Sequence, residues 1–111
     1  MNIPDKAKTI YVAGPMRGYD CFNFKAFFHW AYELEKLGLD VTNPAQLDCE
    51  KMLSGWVYTE YQYPDVLLQD LRHVRSVDAL FMLEGWRDSP GAKAEHAFAE
   101  ALGKFIIYES S

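Results

Sequence analysis

TIYVA (9–13), ALFML (79–83) and KFIIY (104–108) are short runs that place apolar side chains on both faces of an extended chain. A fourth, shorter run is Leu39 to Thr42. Strands of this kind hide both faces, which is the pattern of a parallel sheet with helices above and below it. Apolar residues recur at helical spacing between the runs: Phe24, Phe27, Phe28, Ala31, Leu34 and Leu37, then Leu67, Leu68, Leu71 and Val74, then Ala94, Ala97, Phe98 and Ala101. Alternating strand and helix with right-handed crossovers leaves few topologies. The sequence predicts one α/β domain over 1–111, a doubly wound parallel sheet of four or five strands in a three-layer α/β/α arrangement. Strands one and three are expected side by side at the switch point.

Punctuation supports this division. Gly14-Pro15 closes the first run, Asn43-Pro44 the second, and Gly38 and Gly103 stand where helices end. Asn23 is a candidate N-cap for the first helix, Pro64-Asp65 opens the next, and Ser89-Pro90 starts the last. Asp78, before the third strand, reads as a cap or turn residue. From Ala45 to Tyr63 no period is clear, and the segment is too long for a plain connection. It is either functional or holds a short helix, and it carries Trp56, Tyr58, Tyr61 and Tyr63.

Charge and composition narrow the class. Eleven basic against sixteen acidic residues give a net charge of −5, which argues against binding the phosphate backbone of DNA or RNA. Half the residues are apolar, enough for a packed core, yet no run reaches the ~18 residues of a membrane span. MNIPDKAK has no apolar stretch of a secretory leader, so Cys21 and Cys49 are expected as reduced thiols in a cytoplasmic protein. His29, His73 and His96 have no metal-ligand spacing with one another or with the cysteines, and no cofactor is expected.

In such a sheet the ligand lies beyond the carboxyl ends of the strands at the switch point. YVAGPMRG (11–18) is the end of strand one, and Gly14, Pro15, Met16, Arg17 and Gly18 form its exit loop. Two other stretches converge there: LLQDLRHV, which carries Asp70, and GWRDSPGAKAEH (85–96), which carries Asp88, Ser89, Gly91 and Glu95. Ser89-Pro90-Gly91 opens a helix whose free amides suit an anion. Glu95, within two turns of that start, is favoured as a carboxylate by the helix dipole. Asp70 lies near a buried stripe, where desolvation raises its pKa. One ionised and one protonated carboxyl is the division that retaining glycosyl transfer uses.

YVAGPMRG, the LLQDL helix and SPGAKAEHAFAEALGK resemble the nucleoside 2-deoxyribosyltransferase superfamily, which includes the 2'-deoxynucleoside 5'-phosphate N-hydrolases. The resemblance runs from Tyr11 to about Tyr108, with 45–63 unaligned, toward a subgroup of short relatives common in phage and bacterial genomes. Its most specific part is a Y-x-A-G-P strand end followed by a G-x-x-x-E helix start. It implies a flavodoxin-like (Rossmann-like) sheet and a covalent mechanism in which Glu95 attacks the anomeric carbon of a deoxyribosyl group. Asp70 then assists the leaving base, Tyr11 helps hold the nucleophile, and Ser89 falls on a polar family position. Gly14-Pro15 resembles the transferases, and Arg17-Gly18 the hydrolases, whose loop cradles a 5'-phosphate. The implied partner is a small nucleoside or nucleotide, and a homo-oligomer is expected from the family pattern. A nucleotide-binding module with the same pocket and no chemistry is the alternative.

Several residues keep two readings. Asp88 is an N-cap or faces the sugar, Arg17 serves the site or pairs with Asp20, and His96 is a candidate for the site's edge. Trp56, Tyr58 and Tyr61 either stack on a base or form a flap over the core.

Overall fold

Tyr11 at the middle of the first strand is paired on both sides at once, with Thr42 on one neighbour and Leu80 on the other. The computed structural model describes residues 3–55 and 63–109. The elements run β1 (Thr9–Ala13), α1 (Phe24–Lys36), β2 (Asp40–Thr42), α2 (Pro44–Leu53), α3 (Tyr63–Ser76), β3 (Ala79–Met82), α4 (Pro90–Ala101) and β4 (Phe105–Tyr108), with single 3₁₀ turns at 20–23 and 86–88. All pairings are parallel, in the order β2-β1-β3-β4, so the first and third strands are neighbours as the sequence predicts. The result is a three-layer α/β/α, Rossmann-like sheet.

Strand alternation decides which residue meets which layer. Ile10 and Val12, with Phe81 and Ile107, pack against Phe27 and Leu34 of α1 and Ala45 of α2. Tyr11 and Ala13, with Leu80 and Met82, face the other way, against Val74 of α3 and Ala92 and Ala99 of α4. Tyr11, Phe27 and Phe81 are among the largest fully buried side chains, each contributing about 1.5–3 kcal/mol by leaving water. Tyr11 is thereby committed to the layer that also holds Asp70 and Glu95.

The helix boundaries follow local chemistry, with one exception. Asn43 caps α2, its Oδ1 accepting from the Ala45 amide at 3.0 Å, and Ser89 caps α4, its Oγ accepting from the Ala92 amide at 3.2 Å. Each cap is followed by proline at the first helical position. Gly38 takes a left-handed φ of 89° after α1, the conformation that glycine alone adopts without a side-chain clash. Asn23 stands before α1 but does not cap it: its φ is 60° and its Nδ2 donates to the Pro15 carbonyl at 3.0 Å. The carboxamide is spent on the β1 exit loop instead of the helix. The unperiodic segment holds a helix at 44–53, while Trp56, Tyr58 and Tyr61 lie outside the described residues.

Asp78 has the turn role expected of it, its Oδ2 accepting from the amides of Lys8 and Thr9 at 2.8 and 3.2 Å. That ties the lower end of β3 to β1, opposite the site.

Gly14 shows how closely β1 and β3 run at their upper ends. A Cβ there would lie 2.7 Å from Leu83 Cβ. Gly14→Ala is expected to cost about 1–3 kcal/mol in urea denaturation. Leu83→Ala keeps the closest atom, so adding it is expected not to restore stability.

Candidate functional site

A cleft of about 170 Å³ opens at the carboxyl edge of the sheet, between the β1 exit loop, α3 and the start of α4. It is lined by Tyr11, Asp70 and Glu95, by Gly14, Pro15, Met16 and Arg17, and by Asp88, Ser89 and Gly91. The sequence-predicted residues therefore converge, with one exception. Gly18 lies outside the lining and turns the loop at a φ of 83°. Its place is a backbone turn, not a contact surface.

At the base of the cleft, the Tyr11 hydroxyl donates to Glu95 Oε2 at 2.5 Å, joining residues 84 apart in the chain. Glu95 is 5% exposed, although it sits on a helix whose alternate face meets solvent. Position in the layer explains this: Ala92, Glu95 and Ala99 form the stripe of α4 that packs down on the sheet. Small residues on either side let the carboxyl reach the phenol.

The charge state of Glu95 differs from the sequence expectation. The helix dipole favours a carboxylate, but burial dominates and pushes the Glu95 carboxyl up to about 8. The charge of Asp70 adds to the rise, and the Tyr11 hydrogen bond opposes it. Asp70 is raised as expected, to about 7, by desolvation first and Asp48 second, with Lys51 opposing. Tyr11 is raised well above its ordinary value by burial and then by the neighbouring acids, so it remains a hydroxyl donor.

Ser89 and Asp88 divide the roles left open between them. Ser89 is the N-cap, while exposed Asp88 ends the 3₁₀ turn and borders the cleft. Because Pro90 has no amide hydrogen and Ala92 donates to Ser89, the helix start offers fewer free donors than the sequence suggests. Arg17 makes no ion pair with Asp20 among the described residues; its guanidinium lies 3.9 Å from the Tyr63 ring centroid. His96 points away from the cleft, hydrogen-bonded to the Tyr108 hydroxyl at 2.7 Å and stacked on Trp86 at 4.2 Å.

The sequence reading missed Asp48, Tyr19, Phe22, Met52 and Tyr63 of the lining. Asp48 and Met52 follow Ala45 at spacings of three and seven, so a helix opened by Asn43-Pro44 places them on one face. That signal was present in the sequence. Phe22 reaches the cleft through three consecutive left-handed residues, Cys21, Phe22 and Asn23, with φ of 48°, 52° and 60°. Such a run costs about 1–3 kcal/mol per residue, and the Asn23–Pro15 bond helps hold it. Tyr63 lies across the mouth, and a Cβ on Gly91 would come 3.0 Å from its hydroxyl. Gly91 is thus the space the phenol needs.

Residues 8–108 match the profile of one family, described as a domain of unknown function (DUF4406). The chain belongs to the DUF4406 family. No curated protein matches it. The DUF4406 match begins before β1 and ends with β4, so it contains every element that lines the cleft. Among the described residues no helix is long and apolar enough to cross a membrane, and no three His, Cys, Asp or Glu side chains are grouped to hold a metal ion.

The buried carboxyl has a thermodynamic signature. Glu95 releases its proton near 4.5 when unfolded and at about 8 when folded, so the folded state binds the proton more tightly. Its contribution to stability is full below the unfolded value and is lost as pH rises toward the folded one, at up to about 1.4 kcal/mol per pH unit. The urea midpoint is expected to fall between pH 5 and 8.5, and Glu95→Gln to remove part of that fall, with Asp70 supplying a share below about pH 7. A wild-type midpoint that holds level across this range overturns the buried, protonated assignment.

Proposed function

We propose that the chain cleaves or transfers the N-glycosidic bond of a deoxynucleoside or deoxynucleoside 5'-monophosphate through a glycosyl ester on Glu95. The observation that carries this reading is the Tyr11 hydroxyl on Glu95 Oε2, within a cleft that Asp70 shares. The phenol holds one carboxyl oxygen and leaves the other for attack. The resemblance to the nucleoside 2-deoxyribosyltransferase superfamily supplies the substrate class.

In the first step the Glu95 carboxylate attacks the anomeric carbon and the carbon–nitrogen bond breaks. The electron pair leaves on the base nitrogen, which takes the proton of Asp70. Asp70, now a carboxylate, accepts a proton from water or from an acceptor base as that nucleophile attacks the same carbon. Glu95 departs as a carboxylate, and the site returns to its starting state. Retention of configuration follows from two displacements.

The raised carboxyls set the pH range. The competent state has Glu95 ionised and Asp70 protonated, one proton on the pair. With values of about 8 at Glu95 and about 7 at Asp70, the pair carries one proton chiefly between those limits, mostly on Glu95, so the competent arrangement is the minority form of that state. A bell-shaped kcat/KM profile with its maximum between pH 7 and 8 is expected.

Chromatography of free base after incubation with deoxynucleosides, their 5'-monophosphates and dinucleotides tests the reaction directly. Glu95→Gln is expected to abolish release, and Asp70→Asn to slow it by about 10²–10⁴-fold. No base from any substrate at high enzyme concentration overturns catalysis. The largely protonated Glu95 at neutral pH favours the second reading, a nucleotide-binding module; ligand-dependent thermal stabilisation without product marks that outcome.

A further inference from the structure

Beside the cleft lies a second, more polar hollow of about 320 Å³ between α2 and α3. Two residues, Asp48 and Asp70, line both spaces and form the wall between them. The seam is closed on the α2 side by Lys51, whose Nζ donates to Gln69 Oε1 at 3.2 Å, next in sequence to Asp70. Asp48, from α2, and Asp70, from α3, thus meet across this seam.

We propose that Asp48 is a positioning residue whose negative charge, across the α2–α3 seam, keeps the proton on Asp70 for the leaving base. This rests on the glycosidic reading of the cleft. The charged and titratable groups around Asp70 are few. From α2 come Asp48, Glu50 and Lys51; from α3, His73, stacked on the Tyr11 ring at 6.4 Å; from β1, Tyr11; from α4, Glu95. Arg17 and Asp88 stand at the cleft's edge.

Among these acids, Asp48 is the one that lines both spaces beside Asp70. It is less enclosed than Glu95 and has Lys51 one turn further along α2, which pulls its pKa down against desolvation. Once ionised, it is the largest charge effect on Asp70 after burial itself. Lys51 acts on Asp70 with the opposite sign, so Asp70 sits between a carboxylate that retains its proton and an ammonium that releases it. The direction is fixed by Coulomb's law: removing Asp48's charge lowers the Asp70 pKa, and removing Lys51's raises it.

The test is a carboxyl-carbon NMR titration of full-length protein labelled at aspartate, with the Asp70 signal assigned by its loss in Asp70→Asn. Asp48→Asn is expected to move the Asp70 midpoint down by roughly half a unit to one unit. Asp48→Glu, which keeps the charge, is expected to restore it, and Lys51→Met to move it up. A structural role for Asp48 does not produce opposite shifts from these two removals. In kcat/KM, a lower Asp70 midpoint beneath that of Glu95 is expected to move the acid limb to lower pH and reduce the maximum in Asp48→Asn, and both are expected to return in Asp48→Glu.

An Asp70 midpoint unmoved by Asp48→Asn, or moved equally by Asp48→Glu, overturns the proposal. Should Asp48→Asn fail to fold, the Asp48→Glu and Lys51→Met titrations decide it alone, and no upward shift in Lys51→Met overturns it. Opposite shifts without base release from any substrate support the electrostatic pairing and overturn the glycosidic reading instead.

Discussion

A carboxyl group shut away from water, with one phenol hydroxyl for company, is the interaction around which this cleft is organised. The parallel sheet creates it. β1 is hydrogen-bonded on both edges, so its alternate side chains have no freedom to choose a layer, and Tyr11 must face α3 and α4. α4 then presents a stripe of two alanines with Glu95 between them. Neither group can turn to solvent without undoing the layer, and each supplies the partner that the other's burial requires.

The electrostatics follow from that enclosure more than from any local charge. Desolvation leads the causes at Glu95, Asp70 and Asp48 alike; a neighbouring carboxylate adds to it at Glu95 and Asp70, and Lys51 opposes it at Asp48. The cation that lines the cleft among the described residues, Arg17, is drawn onto the Tyr63 ring at the mouth, while Lys51 opposes the rise at Asp70 and Asp48 from the neighbouring hollow. The site is thus polarised along its axis, with proton-holding groups inside and positive charge outside.

The sheet was legible because its signals are strong and local. Apolar strands bounded by glycine and proline, and Ser89-Pro90 or Asn43-Pro44 at helix starts, mean the same thing in almost any context. The convergence of Tyr11, Asp70 and Glu95 was legible in part, through the rule that strand ends gather at the switch point. α2 was harder to read, since PAQLDCEKML buries little beyond Pro44 and Ala45 and shows weak amphipathic order. With α2 went Asp48 and Met52. Asn23 misled because its side chain suits a helix cap, and a long-range partner, the Pro15 carbonyl, took it. The protonation of Glu95 was also out of reach, because a helix dipole is visible in sequence and the dryness of a packed layer is not.

The 84 residues between Tyr11 and Glu95 bear on how such a chain comes into being. Pairings this distant form late, since the intervening loop must close before any contact repays it. On a ribosome, β1 emerges before α4 and waits, its phenol without the Glu95 partner until the 84 residues that separate them are synthesised. A product truncated or stalled before α4 therefore carries the strand and its glycine exit but no buried carboxyl beneath the phenol.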